Sequence, residues 1–237
     1  LTAHYNLAKI YQEMERWEEA QRHLSRVVDG EANHARARYD LGLAYQRLKQ
    51  YDLAKAEYDK VLAINAKFYA AHYRIGTLAE VMDRPKEADA AYRRAIEINP
   101  RFTKSFVKLG LLYLNYDYPE LAMQVFQTAV AINDSSAEAF NGLGVAYQFL
   151  KQYDKAVEAF EKALKLQGDM YDTMYNLGMA YAAADRRKEA EAALTRFTKL
   201  AAGKKGVDPE YVKAASDKIL ELSGMGAETA TPPSRLQ

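Results

Sequence analysis

The sequence predicts an all-α protein in which one helical hairpin is repeated along most of the chain. Three observations lead to this prediction: a strict internal period of 34 residues, two helical segments within each period, and a composition with few helix breakers. The 237 residues contain only six Pro and 12 Gly. A repeated unit of this length is typical of a solenoid, in which neighbouring repeats stack, rather than of a single globular core.

The period is visible in two nearly identical segments. Residues 45–54 read YQRLKQYDLA, and residues 147–156, which start 102 residues later, read YQFLKQYDKA. This distance equals three periods, and the register divides the chain into six repeats without any insertion. The six repeats are 1–34, 35–68, 69–102, 103–136, 137–170 and 171–204.

Small residues recur at two positions of every repeat. Position 8 carries Ala8, Gly42, Gly76, Gly110, Gly144 and Gly178, and position 20 carries Ala20, Ala54, Ala88, Ala122, Ala156 and Ala190. A glycine inside a helix costs up to about 1 kcal/mol relative to alanine, so a repeated glycine indicates that two helices approach closely. Position 24 is large, and we expect its side chain to fill the space beside this approach. Its members are Leu24, Tyr58, Tyr92, Phe126, Phe160 and Leu194.

Each repeat is predicted to contain helices at about positions 2–14 and 18–31, where apolar residues recur at helical spacing. Pro85 and Pro119 are expected in the first turn of second helices, where proline removes no hydrogen bond. Two pairs have the spacing of a capping box and predict helix starts. The pairs are Asp117 with Glu120 and Ser135 with Glu138.

A further helix is predicted after the repeats, within residues 205–224. Asp208 and Pro209 resemble a helix start, and Ser223 with Gly224 resembles a helix end. The apolar stripe of this helix consists of Val212, Ala215, Ile219 and Leu222. We expect it to cover the exposed face of the sixth repeat as a cap. Residues 225–237 lack an apolar pattern and are predicted to be disordered.

The order of small, aromatic and alanine positions resembles the tetratricopeptide repeat family over residues 1–204. The family's usual Trp at position 4 is absent, and only Pro100 matches its usual Pro near a repeat end. The resemblance implies a right-handed superhelix of hairpins with a C-terminal capping helix. It also implies a concave groove lined by the first helices at positions 2, 5, 6, 9, 12 and 13, in which a protein partner would bind.

The groove predicted from this resemblance has two features, a tyrosine ladder at position 5 and an excess of cations. Repeats two to four contribute five cations and two carboxylates to groove positions, and later repeats contribute apolar residues. The residues predicted to bind a partner are Tyr5, Tyr39, Tyr73, Arg36, Arg74, Lys104, Lys108, Leu111, Phe149 and Tyr175. The expected partner is an extended peptide or a helix with acidic and apolar or aromatic residues. Alternatively, the tyrosines pack on neighbouring first helices and the cations serve solubility.

Composition excludes several classes of function. The 33 Lys and Arg oppose 32 Asp and Glu, so the charge gives no indication of nucleic-acid binding. The absence of cysteine excludes disulfides, zinc–thiolate sites and thiol catalysis. No apolar run approaches the roughly 20 residues that cross a membrane. We therefore expect a soluble protein, cytoplasmic or periplasmic, whose self-association the sequence leaves open. The chain opens inside a helical pattern at Leu1, so we expect that an upstream targeting segment would have been removed.

No catalytic, cofactor or metal residues are predicted, and we expect no enzymatic turnover. Residues 142–147, GLGVAY, match the form of a dinucleotide-binding fingerprint, but no predicted strand precedes them and Gly144 is the small residue of a repeat. His4 and His72 share a register, but they lie two repeats apart, which is too far for one metal ion.

The sequence favours a non-enzymatic adaptor or assembly scaffold that binds proteins. Two alternatives remain open: a targeting or regulatory segment of a larger enzyme, and an assembly factor of the bacterial envelope similar to pilus pilotins. A fold by itself does not choose among these functions.

Overall fold

The structure, a computed structural model, describes residues 1–224. Thirteen helices and no strand are present in this part of the chain. They are α1 (Thr2–Glu13), α2 (Trp17–Gly30), α3 (Ala35–Arg47), α4 (Tyr51–Ile64), α5 (Tyr69–Val81), α6 (Pro85–Ile98) and α7 (Thr103–Asn115). The remaining helices are α8 (Pro119–Ile132), α9 (Ala137–Phe149), α10 (Tyr153–Leu166), α11 (Tyr171–Ala183), α12 (Arg187–Ala201) and α13 (Pro209–Leu222). The all-α prediction is confirmed, whereas the segment predicted to be disordered, 225–237, lies outside the described residues.

The chain divides into two compact units, Leu1–Leu112 and Tyr113–Gln237. In the first unit, α1 to α6 form three consecutive hairpins, and the second helix of one hairpin packs on the first helix of the next. In the second unit, α8 packs on α9, and each helix from α9 to α12 packs on its successor. Stacked helical hairpins are therefore the architecture within each unit.

The position 8 glycines lie directly under the large side chains of position 24. A Cβ atom added to Gly42 would lie 2.6 Å from Cε1 of Tyr58, and one added to Gly76 would lie 2.5 Å from Cε1 of Tyr92. Tyr58 and Tyr92 are fully buried. The position 20 alanines are also fully buried, so the two helices of a hairpin meet through small residues on both sides.

The turn inside each hairpin contains a residue in the left-handed conformation at position 15. These residues are Glu15, Lys49, Asp83, Asp117, Lys151 and Asp185, with φ between 54 and 61°. The turn returns backbone N–H groups to the end of the first helix; for example, the amide of Gln50 donates to the carbonyl of Tyr45 at 2.8 Å. This turn explains why the first helices end at equivalent positions.

The expected capping boxes are wrong. Asp117 occupies the left-handed turn position, and Tyr118 precedes α8 without a side-chain cap. Ser136, not Ser135, caps α9 by accepting a hydrogen bond from the amide of Ala139 at 3.3 Å. Pro85 and Pro119 do lie in the first turns of α6 and α8, as predicted.

The last described helix, α13, covers α12 as expected. Asp208 caps it by accepting from the amide of Glu210 at 2.9 Å. The apolar stripe of α13 packs against buried residues of the preceding hairpin, including Leu194 and Phe197. Helix α13 thus shields this part of the second unit's core from solvent.

We predict that Gly144→Ala lowers the free energy of unfolding, because the added Cβ would lie 2.5 Å from Cε1 of the buried Phe160. Overpacking typically costs about 1–3 kcal/mol, which outweighs the helix preference of alanine. The matched control is Gly168→Ala, whose Cβ would meet only the carbonyl oxygen of Leu164 at 3.7 Å. Urea unfolding followed by circular dichroism measures both. Equal stability of the two variants would contradict the close-approach account.

Candidate protein-binding face

The predicted groove residues lie on one face of the first helices, which we call the first-helix face. In the first unit it consists of positions 2, 5, 6, 9, 12 and 13 of α1, α3, α5 and the part of α7 up to Leu112. The position 5 tyrosines of this face are half-buried. Tyr39 and Tyr73 each pack on an aromatic ring from the second helix of the same hairpin, and on a second aromatic ring that follows that helix. Tyr39 lies 5.7 Å from Tyr58 and 5.3 Å from Phe68, measured between ring centroids.

The same arrangement recurs at Tyr73, whose ring lies 5.9 Å from Tyr92 and 5.2 Å, edge to face, from Phe102. Tyr5 contacts His34 at 5.4 Å in place of the phenylalanine. The position 5 rings are therefore part of the aromatic core of each hairpin, with one side left toward solvent.

Two of these tyrosines connect consecutive hairpins through their hydroxyl groups. The Tyr5 hydroxyl donates to Oδ2 of Asp40 at 2.8 Å, and Nε of Arg74 donates to the Tyr39 hydroxyl at 3.3 Å. In both cases position 5 of one hairpin contacts position 6 of the next. The hydroxyls of Tyr5 and Tyr39 therefore bond to the neighbouring first helix, in agreement with the alternative interpretation.

Asp40 is the centre of a polar cluster at the first of these junctions. Its side chain is 2% exposed and lies 3.5 Å from Nζ of Lys9 and 3.7 Å from Nε of Arg36. Nε2 of the Gln12 side chain donates to the backbone carbonyl of Asp40 at 3.2 Å. The side chain of Arg36 is 59% exposed. The carboxylate thus lies below the surface, and its cationic partners extend above it toward solvent.

Glu80 occupies a similar place on α5. Nζ of Lys108 lies 3.3 Å from its carboxylate, and the hydroxyl of the buried Tyr92 donates to it. The side chain of Lys108 is twice as exposed as that of Glu80. Asp40 and Glu80, the two carboxylates at groove positions of repeats two to four, are consequently both held beneath cations.

The remaining cations of the face have different surroundings. Arg47 stacks over the ring of Trp17 at 5.3 Å, and Arg74 lies 5.7 Å from the ring of Tyr73. Lys104 is exposed and has no hydrogen bond or ion pair within residues 1–224. Leu111, also on α7, is half-buried. The face therefore combines exposed positive charge with partly buried apolar surface.

In the second unit the corresponding face is more apolar. Phe149, at the end of α9, is 55% exposed. Tyr175 on α11 packs on Phe197 at 5.6 Å and on Tyr211 of α13 at 5.0 Å, so its ring belongs to the capped end of the array. Asn141, at position 5 of α9, accepts a hydrogen bond from Thr173 at 2.9 Å.

Residues 142–147, which match the form of a dinucleotide-binding fingerprint, are a packing motif within α9. Gly142 and Gly144 lie inside α9, where rings of Phe126 and Phe160 lie against them, and no strand precedes them in the described part of the chain. This backbone lacks the strand-to-helix turn that receives a pyrophosphate.

Sequence reasoning missed a histidine pair. Nδ1 of His4 and Nδ1 of His23 lie 2.8 Å apart, because α1 and α2 of one hairpin bring these positions together. The sequence signal for this pair is that positions 4 and 23 belong to the two helices of one predicted hairpin. His34 caps α3 by accepting from the amide of Ala37 at 3.1 Å. Within residues 1–224 there is no group of three or more potential metal ligands.

The described helices include none that is both long enough and apolar enough to span a bilayer.

The pKa of Tyr5 is raised to about 12 by burial, by its hydrogen bond to Asp40 and by the negative charge of that residue. Below about pH 10, the usual tyrosine pKa, this hydroxyl is protonated in both the folded and the unfolded chain. Its contribution to the free energy of unfolding is then fully present. Above that pH the unfolded chain loses the proton first, so the contribution is lost as the pH rises toward 12.

We therefore predict that Tyr5→Phe flattens the alkaline decline of stability. The free energy of unfolding should fall less steeply between about pH 10 and pH 12 in the variant than in the parent chain. Urea unfolding at several pH values in this window measures the two slopes. Parallel slopes would contradict the Tyr5–Asp40 contact.

Comparisons with known proteins agree with this architecture. Four tetratricopeptide repeat models match residues 1–67, 39–101, 137–170 and 172–202. No curated protein sequence matches the chain significantly.

Several solved structures have a similar fold. PilF of Pseudomonas aeruginosa is 19% identical, with a TM-score of 0.78 over 91% of this chain and 96% of its own. The C-terminal part of a TPR repeat-containing protein from Cytophaga hutchinsonii is 20% identical, with a TM-score of 0.75 over 94% and 89%. YrrB, described as a TPR protein with an unusual peptide-binding site, is 22% identical, with a TM-score of 0.65 over 82% and 97%. The chain belongs to the tetratricopeptide repeat family, whose hairpin arrays generally serve as scaffolds for protein–protein interaction.

Proposed function

We propose that this chain is a non-enzymatic scaffold that binds an acidic segment of a partner protein on the first-helix face of the first unit. The segment is an extended peptide or a helix that also carries apolar or aromatic residues. One observation carries the proposal: along α3, α5 and α7 up to Leu112, the carboxylates of Asp40 and Glu80 are covered, whereas the cations Arg36 and Lys104 are exposed.

Charge balance alone does not reveal this arrangement. Asp40 and Glu80 neutralise part of the positive charge, but they do so from beneath Arg36 and Lys108. An approaching partner therefore meets guanidinium and ammonium groups first, and Lys104 is available without breaking an internal ion pair. Such a field favours acidic partners and speeds their association.

Exposed ion pairs contribute little affinity, about 0–1 kcal/mol each, so the proposal also requires apolar anchors. Leu111 and the half-buried sides of the Tyr39 and Tyr73 rings supply them in the first unit. The second unit, considered by itself, presents the exposed ring of Phe149 on its own first helices, which is an apolar contact available to a partner of that unit.

The solved structure of YrrB supports the peptide component of the proposal at the level of the fold, because its description states a peptide-binding site in an array of the same repeats. The chemistry of the bound segment is argued from the residues of this chain alone. We expect no enzymatic turnover, since the first-helix face uses its titratable groups to join hairpins.

We predict that neutralising the exposed cations of this face weakens binding of an acidic–aromatic peptide. The probe is a fluorescein-labelled decapeptide in which Asp or Glu alternates with Leu, Phe and Trp, measured by fluorescence anisotropy. The double variant Arg36→Gln, Lys104→Gln should bind at least about tenfold more weakly at low salt, and its affinity should depend less on salt concentration.

The matched control is the double variant Arg22→Gln, Lys86→Gln, which removes two exposed cations from the second helices α2 and α6. It carries the same change in net charge and should keep the parent affinity. Equal loss in both variants would show a nonspecific charge effect. Equal binding of a peptide with Lys in place of Asp and Glu would also contradict the proposal.

A further inference from the structure

The first hairpin holds two histidines that face each other across its helices. His4 lies on α1 and His23 lies on α2, and their Nδ1 atoms are 2.8 Å apart. The two ring planes are inclined at 40°, with centroids 5.0 Å apart. Both rings are half-buried, and the ring of His23 also stacks on that of Tyr11 at 5.4 Å. The pair is therefore held in place by its surroundings and is still accessible to small solutes.

The register of the repeats explains why these side chains meet. The paired histidines occupy positions 4 and 23 of their repeat, and the same positions of the second hairpin carry Arg38 and Glu57, which form an ion pair at 2.8 Å. In the third hairpin position 4 is again a histidine, His72, but position 23 is Ala91. His72 follows a complete hairpin and is also half-buried, so the accessibility of position 4 does not depend on what precedes its hairpin.

The chemistry of the pair suits a metal ion, which binds neutral imidazoles through their lone pairs. When both rings are neutral, one Nδ1–H donates to the other Nδ1. Burial, the neighbouring His4 and the charges of two arginines lower the pKa of His23, which favours the neutral ring at pH 7. The two arginines, Arg26 and Arg22, are exposed, so solvent screens much of their repulsion of a cation. An ion takes the place of the shared proton, and the donating ring then carries that proton on Nε2.

The distance between the two nitrogens indicates which coordination geometry fits. Imidazole nitrogens about 2.0–2.1 Å from one ion are separated by about 2.9 Å at a right angle and by about 3.3 Å at the tetrahedral angle. The observed separation of 2.8 Å is nearer to the right angle. Right angles are typical of the tetragonal coordination of Cu²⁺ and Ni²⁺, for which imidazole is a good ligand. Rotation about the Cβ–Cγ bond, a soft torsion in histidine, aims both lone pairs at the ion.

We propose that His4 and His23 form a two-histidine site for a divalent transition-metal ion of tetragonal geometry, Cu²⁺ or Ni²⁺. The two rings take neighbouring positions on the ion and water takes the others, since residues 1–224 contain no group of three side chains suited to hold a metal. Because the ligands come from α1 and α2, a bound ion joins the two helices of the first hairpin. The folded chain therefore gains stability once the ion concentration exceeds the Kd.

Titration of the untagged chain with NiCl₂ at pH 7.5, measured by isothermal titration calorimetry, tests this site. The parent chain should show saturable binding of a single Ni²⁺ ion. The variants His4→Asn and His23→Asn should each weaken this binding at least about tenfold, because the remaining imidazole loses a second ligand held at the correct distance. The affinity of the parent should also fall as the pH drops below about 6.5, where protons compete for the imidazoles.

The third hairpin offers a control, because His72→Asn removes a histidine from the same repeat position, where Ala91 supplies no second ligand. This variant should keep the parent affinity. Thermal unfolding without metal verifies that each variant is folded, and excess NiCl₂ should raise the Tm of the parent and of His72→Asn only. The variant Arg36→Gln, Lys104→Gln should bind Ni²⁺ unchanged, which separates this site from the proposed function. Absence of saturable binding by the parent, equal affinity in His23→Asn, or an equal loss in His72→Asn would overturn the proposal.

Discussion

The structure depends on one contact, in which a small residue of a first helix receives a large side chain of the second helix. At Gly76 the ring of Tyr92 lies where a Cβ would otherwise be, and Gly144 and Phe160 repeat the arrangement. The short distance between the helices of a hairpin follows from this contact, and the buried alanines of position 20 preserve it. Because the hairpins of Gly42, Gly76, Gly144 and Gly178 are all built in this way, equivalent residues of consecutive hairpins within a unit meet in the same register.

This register gives the first-helix face its chemistry. Position 5 of one hairpin lies within hydrogen-bonding distance of position 6 of the next, which joins Tyr5 to Asp40 and Tyr39 to Arg74. A buried carboxylate requires compensating partners, and Asp40 obtains them from a hydroxyl and two cations. The long side chains of those cations reach solvent, so the interactions that join hairpins also leave positive charge at the surface.

The hairpins and their close contacts could be predicted from the sequence, because the period of 34 residues places the same packing residues in every repeat. Gly42 and Tyr58 illustrate the point, since a glycine within a helix needs a close neighbour. The turn at position 15 was missed because Lys49 and Lys151 carry no sign of a left-handed conformation, which glycine would have indicated. The Tyr5–Asp40 bond and the His4–His23 contact depend on how far side chains reach between helices, which spacing along the chain does not define.

The first-helix face of the first unit is proposed to receive acidic partners, because along α3, α5 and α7 up to Leu112 it covers the carboxylates of Asp40 and Glu80 and exposes the cations Arg36 and Lys104. The most direct measurement is a titration of the ¹⁵N-labelled chain with the acidic–aromatic decapeptide, followed by amide chemical shifts. We expect saturable shifts along α3, α5 and the start of α7, centred on Arg36, Arg74 and Lys104, with α4 and α6 unaffected on their outer surfaces. Shifts confined to the second helices, or the absence of any saturable shift, would contradict this proposal.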